Sequence, residues 1–335
     1  VLAIADSYAR YCVRPTADDV FAGPAPIPFA LGFGFFIVFP LRFGAAAVLT
    51  TRKSPEDMLR AVDEHGVTVL FGVSTYFGML SERLVEHGVS TRTDTLRLLL
   101  CGGEPLPERI ARQCADTLGL PLRQFLGTTE LLHNIVSYLP DESPRPGSFG
   151  HAVPGYDVVV RDPVTFKEVP RGESGLLTVR GATGTKYWRK PEQQKEAVRE
   201  GWCVVKDIVR MDEDGYLYYI SRSDEMIISS GFNIAPADVE NVLLRHPSVL
   251  KVACIGAPDP SGRRSTVVKA CVVLRPGYEP SDVLVKELQD FFKANASPNM
   301  YPRLVEFLTE LPETMTGKVR RSELARRDTQ PIARP

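Results

Sequence analysis

Short apolar segments alternate with helical patterns between residues 54 and 125, and this alternation restricts the chain to few folds. Residues 54–65 begin with a serine that can cap a helix and a proline suited to its first turn, which predicts a helix. A second helix is predicted over 108–118, and short strands over 67–71, 96–100 and 121–125. Because strand, helix and strand at this spacing favour crossover connections, the sequence predicts a parallel sheet covered by helices.

The pattern becomes richer in strands farther along the chain. Residues 156–160 and 175–179 are β-rich and separated by prolines and glycines, which indicates a small antiparallel unit. After Arg222, helices predicted over 236–245 and 281–294 enclose strands predicted over 249–255 and 267–274. This order is typical of a compact α+β domain.

These segments predict a mixed α/β protein with two domains, a number that the length of 335 residues also favours. The first covers residues 1–222, in which a parallel-sheet α/β subdomain (1–145) precedes a small β-rich subdomain (146–222). The second is a small α+β domain over residues 223–335. The chain opens with Val1 inside a helical pattern, so we expect it to be a piece of a longer protein.

Charge and cysteine content argue against several classes of function. A formal net charge of −1 provides no basic field, so we expect no nucleic-acid partner. The six cysteines form no C-x-x-C pair, which favours reduced thiols and a cytoplasmic location. The apolar run over residues 29–39 is too short to span a bilayer, so we expect no membrane span. The sequence leaves the oligomeric state open, a homodimer included.

Two segments after predicted strands are candidates for contact with a nucleotide. Gly102, Gly103 and Glu104 follow the strand over 96–100, where glycines let a flat ligand approach the backbone, although a tight turn would use the same residues. Asp207 follows a strand that contains tryptophan, and a carboxylate there can accept hydrogen bonds from both ribose hydroxyls. An ordinary acidic turn explains Asp207 equally well.

A third candidate follows the strand over 121–125. The hydroxyls of Gly127-Thr128-Thr129-Glu130 can hold a phosphate oxygen, and the Glu130 carboxylate can hold Mg²⁺, which prefers carboxylate and phosphate oxygens. A helix cap with an acid in its first turn has the same composition. Near the C-terminus, Thr316-Gly317-Lys318 predicts an exposed turn with a long cation, which either enters a cleft to neutralise an anion or stays solvated.

In this order, these segments resemble the acyl-adenylate-forming enzymes, which activate a carboxylic acid with ATP and pass it to coenzyme A. The run over 124–133, where His133 closely follows Gly-x-Thr-Glu, is similar to the benzoate- and 2-aminobenzoate-CoA ligase branch. The same branch is echoed at residues 145–150, 153–156, 186–191, 223–228 and 231–234. The resemblance covers nearly the whole chain, to about Arg327.

The resemblance implies an ATP-, Mg²⁺- and coenzyme A-dependent ligase and assigns roles to its residues. The catalytic residues would be Thr129 at the α-phosphate, Glu130 as the Mg²⁺ ligand and Lys318 at the phosphorus and the acyl carboxylate. Asp224 would be the hinge about which a mobile C-terminal domain turns. The nucleotide would be bound by Gly102, Gly103, Glu104, Gly127, Thr128, Asp207 and Arg222. Coenzyme A would enter a tunnel shaped by Ser229, Ser230, Gly231 and Phe232.

The acyl pocket would lie near the apolar run that begins at residue 26. The predicted pocket residues are Phe29, Ala30, Phe33 and His133, although core packing explains most phenylalanines and a structural role explains His133 equally well. Amino-acid-activating relatives place an aspartate in this region, and none is present here. An acid without an α-amino group is therefore favoured, and the resemblance to the benzoate and 2-aminobenzoate branch implies that it is aromatic.

The chain departs from the family pattern in two respects. The Gly/Ser/Thr-rich phosphate loop has no counterpart and would lie before Val1, so the large domain is expected to be partial. The ribose motif, normally Thr-Gly-Asp, is Val205-Lys206-Asp207. Two alternatives therefore stay open: a medium-chain acyl or carrier-protein-loading ligase, and a non-catalytic remnant that only binds nucleotide or coenzyme A.

Overall fold

The chain divides into two compact units, Val1–Tyr219 and Ile220–Pro335. The computed structural model describes residues 1–87, 93–223, 225–229, 232–261, 266–314 and 319–329. The sequence predicts the division after Arg222, and that boundary stays a prediction. The predicted fold class is confirmed, because a large sheet with a parallel half and a smaller sheet are both present together with helices.

One continuous 12-stranded sheet forms the framework of the first unit. Its strands are β1 (Val20–Ala22), β2 (Ala46–Ala47), β3 (Val69–Gly72), β4 (Leu98–Gly102), β5 (Leu122–Gly127), β6 (Asn134–Ser137), β7 (Ser148–Ala152), β8 (Tyr156–Arg161), β9 (Ser174–Gly181), β10 (Val198–Arg199), β11 (Trp202–Met211) and β12 (Leu217–Arg222). They lie in the order β2-β1-β3-β4-β5-β6-β7-β12-β11-β9-β8, and β10 pairs with β11. Pairing is parallel from β2 to β5 and antiparallel from β5 to β7 and between β8 and β9.

The helices of the first unit include those that connect its parallel strands, as the alternating pattern predicts. They are α1 (Leu2–Ile4), which continues as a π-helix (Ala5–Val13), α2 (Ala30–Phe33), a π-helix (Gly34–Val38), α3 (Phe39–Phe43), α4 (Pro55–His65), α5 (Ser74–His87), α6 (Glu108–Leu118), a 3₁₀-helix (Thr129–Leu131) and α7 (Pro191–Ala197). The helices predicted over 54–65 and 108–118 are confirmed as α4 and α6. The Ser54 hydroxyl caps α4 by accepting the Asp57 N–H at 3.1 Å.

The central parallel strands β3 and β4 are buried on both faces. Along β4, Leu98 and Leu100 belong to an apolar cluster with Phe35 and Phe125, whereas Leu99 and Cys101 face a second cluster that contains residues of α4, α5 and α6. Successive side chains of a strand point to opposite faces, so a short and fully apolar strand is what a sheet covered on both sides requires.

The second unit is a smaller α+β structure. Its elements are β13 (Ile227–Ser229), β14 (Phe232–Ile234), α8 (Pro236–Leu243), β15 (Val249–Pro258), β16 (Thr266–Leu274), α9 (Asp282–Asn295), a 3₁₀-helix (Pro298–Met300), β17 (Leu304–Phe307) and α10 (Arg321–Thr329). Strands β13 and β14 form an antiparallel pair, β15 and β16 are antiparallel, and β17 runs parallel to β16. The Ser281 hydroxyl caps α9 by accepting the Leu284 N–H at 3.2 Å.

Two further features concern the length of the helices and the state of the cysteines. In the part of the chain that the structure describes, no helix combines the length and the apolar character needed to cross a bilayer. All six cysteines are buried free thiols.

Candidate functional site

The candidate site begins where two neighbouring parallel strands end. Strands β4 and β5 pair in register, with Gly102 opposite Phe125. The segment Gly102-Gly103-Glu104 and the segment that begins at Gly127 therefore leave the sheet at the same edge. Ligands of open α/β folds bind at this carboxyl edge of the strands.

The two glycines after β4 have steric reasons to be glycine. A Cβ atom on Gly102 would lie 1.8 Å from the Phe125 ring, and Gly103 has a φ of +86°, which disfavours any residue with a side chain. The Glu104 carboxylate accepts the Ser74 hydroxyl at 2.7 Å and the Thr75 N–H at 2.6 Å, at the start of α5. Glu104 thus joins this loop to a helix N-terminus, and its predicted contact with adenine stays a prediction.

The segment after β5 forms a tight turn around a carboxylate. Thr128 is extended, and Thr129 begins the 3₁₀-helix with an exposed side chain. The Thr128 hydroxyl donates to Glu130 Oε2, and the Tyr187 hydroxyl donates to Glu130 Oε1 at 2.7 Å. Gly127 is closely packed, because a Cβ atom there would lie 2.7 Å from the His133 carbonyl oxygen.

Negative charge on Glu130 affects its neighbours. Its hydrogen bond with Tyr187, and burial to a smaller extent, raise the pKa of Tyr187 to about 12. Burial, followed by repulsion from Glu130, raises the pKa of Cys203 in β11 to about 11. Glu130, Tyr187 and Cys203 are therefore close, and the start of β11 lies near the turn that follows β5.

The donor set at this edge is suited to Mg²⁺. Among the described residues, no three His, Cys, Asp or Glu side chains converge to form a metal cage. Mg²⁺ is commonly bound by one or two carboxylates together with substrate phosphates, and a half-buried Glu130 beside exposed Thr129 fits that mode. The metal would supply positive charge that offsets charge developing on the phosphate oxygens.

Asp207 lies in an irregular part of β11. Val204 pairs with Thr178 of β9 and Ile208 pairs with Leu176, so the three residues 205–207 oppose the single residue 177. Two extra residues at one place in a ladder make a bulge, which re-aims side chains. The sequence that departs from the Thr-Gly-Asp pattern therefore occupies a bulge, with Asp207 half-buried and Lys206 exposed.

His133 lies deep in an aromatic cluster. Its ring centroid is 4.8 Å from that of Phe39, 5.3 Å from Phe35 and 5.4 Å from Tyr8, and the residue is 2% exposed. Burial lowers the pKa of His133 to about 3, so the ring is neutral at physiological pH. The Leu31 main chain is close, but no hydrogen bond of normal geometry reaches either ring nitrogen from the described residues.

The predicted pocket residues of the apolar run lie on the helices that contact His133. Ala30 begins α2, Phe33 ends it half-buried, and Phe29 precedes it with 44% of its surface exposed. The helix approaches His133 at Gly34, where a Cβ atom would lie 2.2 Å from the imidazole Nε2. The structure thus brings His133 to the same helical segment as Ala30 and Phe33.

The remaining predicted residues lie beyond Tyr219, where the first unit ends within β12. Arg222 ends β12, and Ser229 ends β13 with its hydroxyl donating to the Thr266 carbonyl at 2.8 Å. Phe232 begins β14 and is half-exposed, at 49%. The other predicted residues, Asp224, Ser230, Gly231 and Lys318, lie outside the described residues.

Sequence reasoning missed two residues that shape this site. Tyr187 belongs to a segment that carries the family resemblance, but nothing in its neighbours indicates that its hydroxyl reaches Glu130. Gly34 looks like one small residue in an apolar run, and its contact with His133 joins positions far apart in sequence. Neither contact leaves a local pattern.

Comparison with known proteins gives two family matches in order along the chain. The model described as AMP-binding enzyme matches residues 1–188, and that of the AMP-binding enzyme C-terminal domain matches residues 238–318. The benzoate–CoA ligase of Thauera aromatica is 32% identical over 96% of this chain and 60% of its own length. The mitochondrial acyl-coenzyme A synthetase ACSM3 of Homo sapiens is 32% identical over 84% of this chain and 48% of its own length. The chain thus spans only part of these curated relatives.

Solved structures share the fold. The anthranilate CoA ligase AuaEII, in complex with anthranoyl-AMP, superposes with a TM-score of 0.81 at 29% identity, over 96% of this chain and 61% of that one. A benzoate CoA ligase from Burkholderia xenovorans LB400 gives 0.80 at 31% identity, over 96% and 64%. ATP-bound MatB from Rhodopseudomonas palustris gives 0.85 at 28% identity, over 97% and 62%.

Proposed function

The chain belongs to the AMP-binding enzyme family, and from this premise we propose that it is part of an ATP-dependent acid–coenzyme A ligase. The observation that carries the proposal is the common sheet edge at which Gly102-Gly103 and Thr128-Thr129-Glu130 meet. Glycines there give a nucleotide close access to the backbone, and the turn supplies hydroxyls and a carboxylate.

In the first step, a carboxylate oxygen attacks the α-phosphorus of ATP, the bond to the bridging oxygen breaks, and pyrophosphate leaves. Negative charge gathers on the phosphorus oxygens, so groups placed beforehand to accept or neutralise it lower the barrier. Thr129 would donate its hydroxyl to the α-phosphate, and Glu130 would hold Mg²⁺. Lys318 would bring a cation to the acyl carboxylate and the phosphorus.

The nucleotide base and sugar need further contacts. Gly102, Gly103 and Glu104 would lie beside adenine, and Gly127 and Thr128 beside the phosphate. Asp207 would accept the ribose hydroxyls, with Arg222 close by. The bulge at residues 205–207 supports this role for Asp207, since it re-aims the side chain away from the regular ladder.

In the second step, the sulfur of coenzyme A attacks the acyl carbonyl carbon, the thiol proton is lost, and AMP leaves. The thiol needs access where the Lys318 ammonium acts in the first step. A small domain that turns about Asp224 would let one cleft serve both steps. Ser229, Ser230, Gly231 and Phe232 would shape the passage for pantetheine.

The proposed acid is an aromatic carboxylate of the benzoate or 2-aminobenzoate type. Phe29, Ala30, Phe33 and His133 would line its pocket. His133 is neutral and deeply buried beside aromatic rings, so it offers an uncharged wall, which suits an aryl ring better than a charged amino acid. Two of the similar proteins are described as acting on benzoate and anthranilate.

A second candidate is a medium-chain acyl or carrier-protein-loading ligase, and the similarity to acyl-coenzyme A synthetases supports its medium-chain form. The third is a non-catalytic remnant that binds nucleotide or coenzyme A, and the altered Val205-Lys206 segment supports it. We also propose a cytoplasmic location, to which the buried free thiols are suited, and a homodimer as one open assembly state.

The test measures AMP released from ATP in the presence of Mg²⁺, coenzyme A and either benzoate, 2-aminobenzoate or hexanoate. It uses this chain and a form extended upstream, and adds benzoyl-AMP with coenzyme A as a separate assay of the second step. Preference for the aromatic acids supports the aryl ligase, and preference for hexanoate supports the second candidate. Failure of both assays in folded protein refutes the ligase and favours the remnant.

A further inference from the structure

The Glu130 carboxylate is held between two hydroxyl groups. The Tyr187 hydroxyl donates to Oε1 at 2.7 Å, and the Thr128 hydroxyl donates to Oε2. A carboxylate has about four acceptor positions, so two hydroxyl bonds fix its plane without exhausting its capacity. Thr128 lies two residues from Glu130 in the same turn, whereas Tyr187 comes from 57 residues away and must be brought to the site by the fold.

The segment that carries Tyr187 is itself fixed at its main chain. The Tyr187 N–H donates to the Gln194 side-chain oxygen at 2.8 Å, and the Gln194 amide nitrogen donates to the Thr185 carbonyl at 3.2 Å. Gln194 belongs to α7, so a short helix holds both sides of the segment. The main chain from which the Tyr187 side chain extends toward Glu130 is therefore held in place by hydrogen bonds.

A second bond fastens the same segment to the far end of the turn. The Thr183 hydroxyl donates to the Leu131 carbonyl at 2.7 Å. A hydroxyl has one proton to donate, and that of Thr183 is donated to Leu131. The Thr183 oxygen therefore accepts a hydrogen bond from the Tyr156 hydroxyl, which lies 2.7 Å away. Residues 183–187 thus contact the turn at both Glu130 and Leu131, and we call them the strap segment.

We propose that Tyr187, through the strap segment, is the positioning residue that orients the Glu130 carboxylate for Mg²⁺, an inference that rests on the proposed function. Groups that hydrogen-bond to a metal ligand fix its orientation, and removing one typically costs about 10- to 100-fold in metal affinity. A tyrosine that only filled space would leave metal affinity unchanged when its hydroxyl is removed.

The test compares Tyr187→Phe with a matched control, Tyr218→Phe. The Tyr218 hydroxyl also donates to a carboxylate, that of Asp212 at 3.1 Å, and both tyrosines are half-buried. Each variant loses one oxygen atom and keeps its ring, so both are expected to melt close to the unaltered chain. Glu130→Gln, which removes the charge of the ligand, gives the lower limit of affinity.

The first measurement is Mn²⁺ binding in the presence of AMP, followed by electron paramagnetic resonance on this chain. We expect Tyr187→Phe to weaken binding about 10- to 100-fold and Tyr218→Phe to leave it within about twofold of the unaltered chain. Unchanged affinity in Tyr187→Phe, or an equal loss in the Tyr218→Phe control, overturns the inference.

The second measurement uses an upstream-extended form that turns over an acid. We expect Tyr187→Phe to raise the Mg²⁺ concentration needed for half-maximal rate, and saturating Mg²⁺ to restore kcat. A loss of kcat that Mg²⁺ does not restore contradicts a positioning role. Absence of Mn²⁺ binding in the unaltered chain overturns this inference but not the proposed function, because thioester formation from benzoyl-AMP tests that function without the metal.

Discussion

The second unit contains a largely buried network of ion pairs, and substitutions can test how much this network contributes to stability. Arg321 at the start of α10 donates from Nη1 to Glu225 at 3.1 Å and from Nη2 to both oxygens of Glu240 at 2.7 and 2.9 Å. The Arg321 and Glu240 side chains are only 19% and 13% exposed. Glu240 also accepts the Cys254 N–H at 2.7 Å, so the network joins α8, α10 and β15.

Replacing Arg321 with alanine leaves the Glu240 carboxylate buried without its cation. Breaking a buried pair by removing one partner costs about 3–5 kcal/mol, and the remaining solvent access places our expectation near the lower limit, about 3 kcal/mol in the free energy of unfolding. Glu240→Ala should cost a similar amount. The double variant should be less destabilised than the sum by about 2 kcal/mol, because the two changes remove one shared interaction.

The adjacent Arg320 provides the matched control. It pairs with Glu323 at 3.6 Å, but the two side chains are 52% and 44% exposed and lie three residues apart in sequence. Exposed pairs of this kind contribute about 0–1 kcal/mol. Arg320→Ala should therefore change the free energy of unfolding by less than about 0.5 kcal/mol.

The assay must report on the second unit alone. Both tryptophans, Trp188 and Trp202, belong to the first unit, so their fluorescence follows the other transition. Hydrogen exchange in urea, measured by mass spectrometry on peptides of β15 and β16, gives the opening free energy of the second unit directly. If Arg321→Ala and Arg320→Ala open at the same urea concentration, the network carries no net stability and this reasoning is wrong.

Three further substitutions test the candidate site. His133→Asn should remove a decrease in the free energy of unfolding of about 1.4 kcal/mol per pH unit between about pH 6.5 and 3. In this range the histidine of the unfolded chain binds a proton and the buried ring does not, so the unaltered protein loses stability as the pH falls. Urea midpoints that depend on pH equally in both proteins would contradict this. Gly102→Ala should destabilise the first unit by about 2 kcal/mol, since the new Cβ meets the Phe125 ring, whereas Gly184→Ala has open space and should not. Lys318→Ala in an upstream-extended form should abolish adenylation and spare thioester formation from benzoyl-AMP; equal loss of both steps would exclude the assigned role.

Local signals predicted the elements that local interactions form. The helix α4 begins where its capping serine and first-turn proline indicate, and α6 has the predicted bounds. The short strands β3 and β4 follow from apolar runs bounded by turn residues. Because parallel strands end at one edge, the approach of Gly102 to the turn after β5 could also be expected from the sequence.

Segments without local contrast were not predictable. The run from Ala30 to Leu41 contains no polar side chain, so its periodicity cannot separate a buried helix from a strand, and the structure forms α2, a π-helix and the start of α3 there. The bulge opposite Leu177 depends on how β11 pairs with β9, which the sequence of β11 alone does not contain. Both outcomes depend on contacts with distant parts of the chain.

The candidate site also combines residues that the sequence predicts with residues that it does not. The groups proposed to contact the phosphate and Mg²⁺ in this turn are consecutive in sequence, as in Thr128-Thr129-Glu130, because one turn must present several of them to one phosphate. The groups that surround the site residues come from elsewhere: Tyr187 reaches Glu130 across 57 residues, and Gly34, at the start of a π-helix, makes room for His133. A hydroxyl or a missing side chain is common in any sequence, so only the fold reveals which ones act. The Tyr187 variant therefore tests the part of the site that a motif does not encode, independently of whether the motif residues carry out the chemistry.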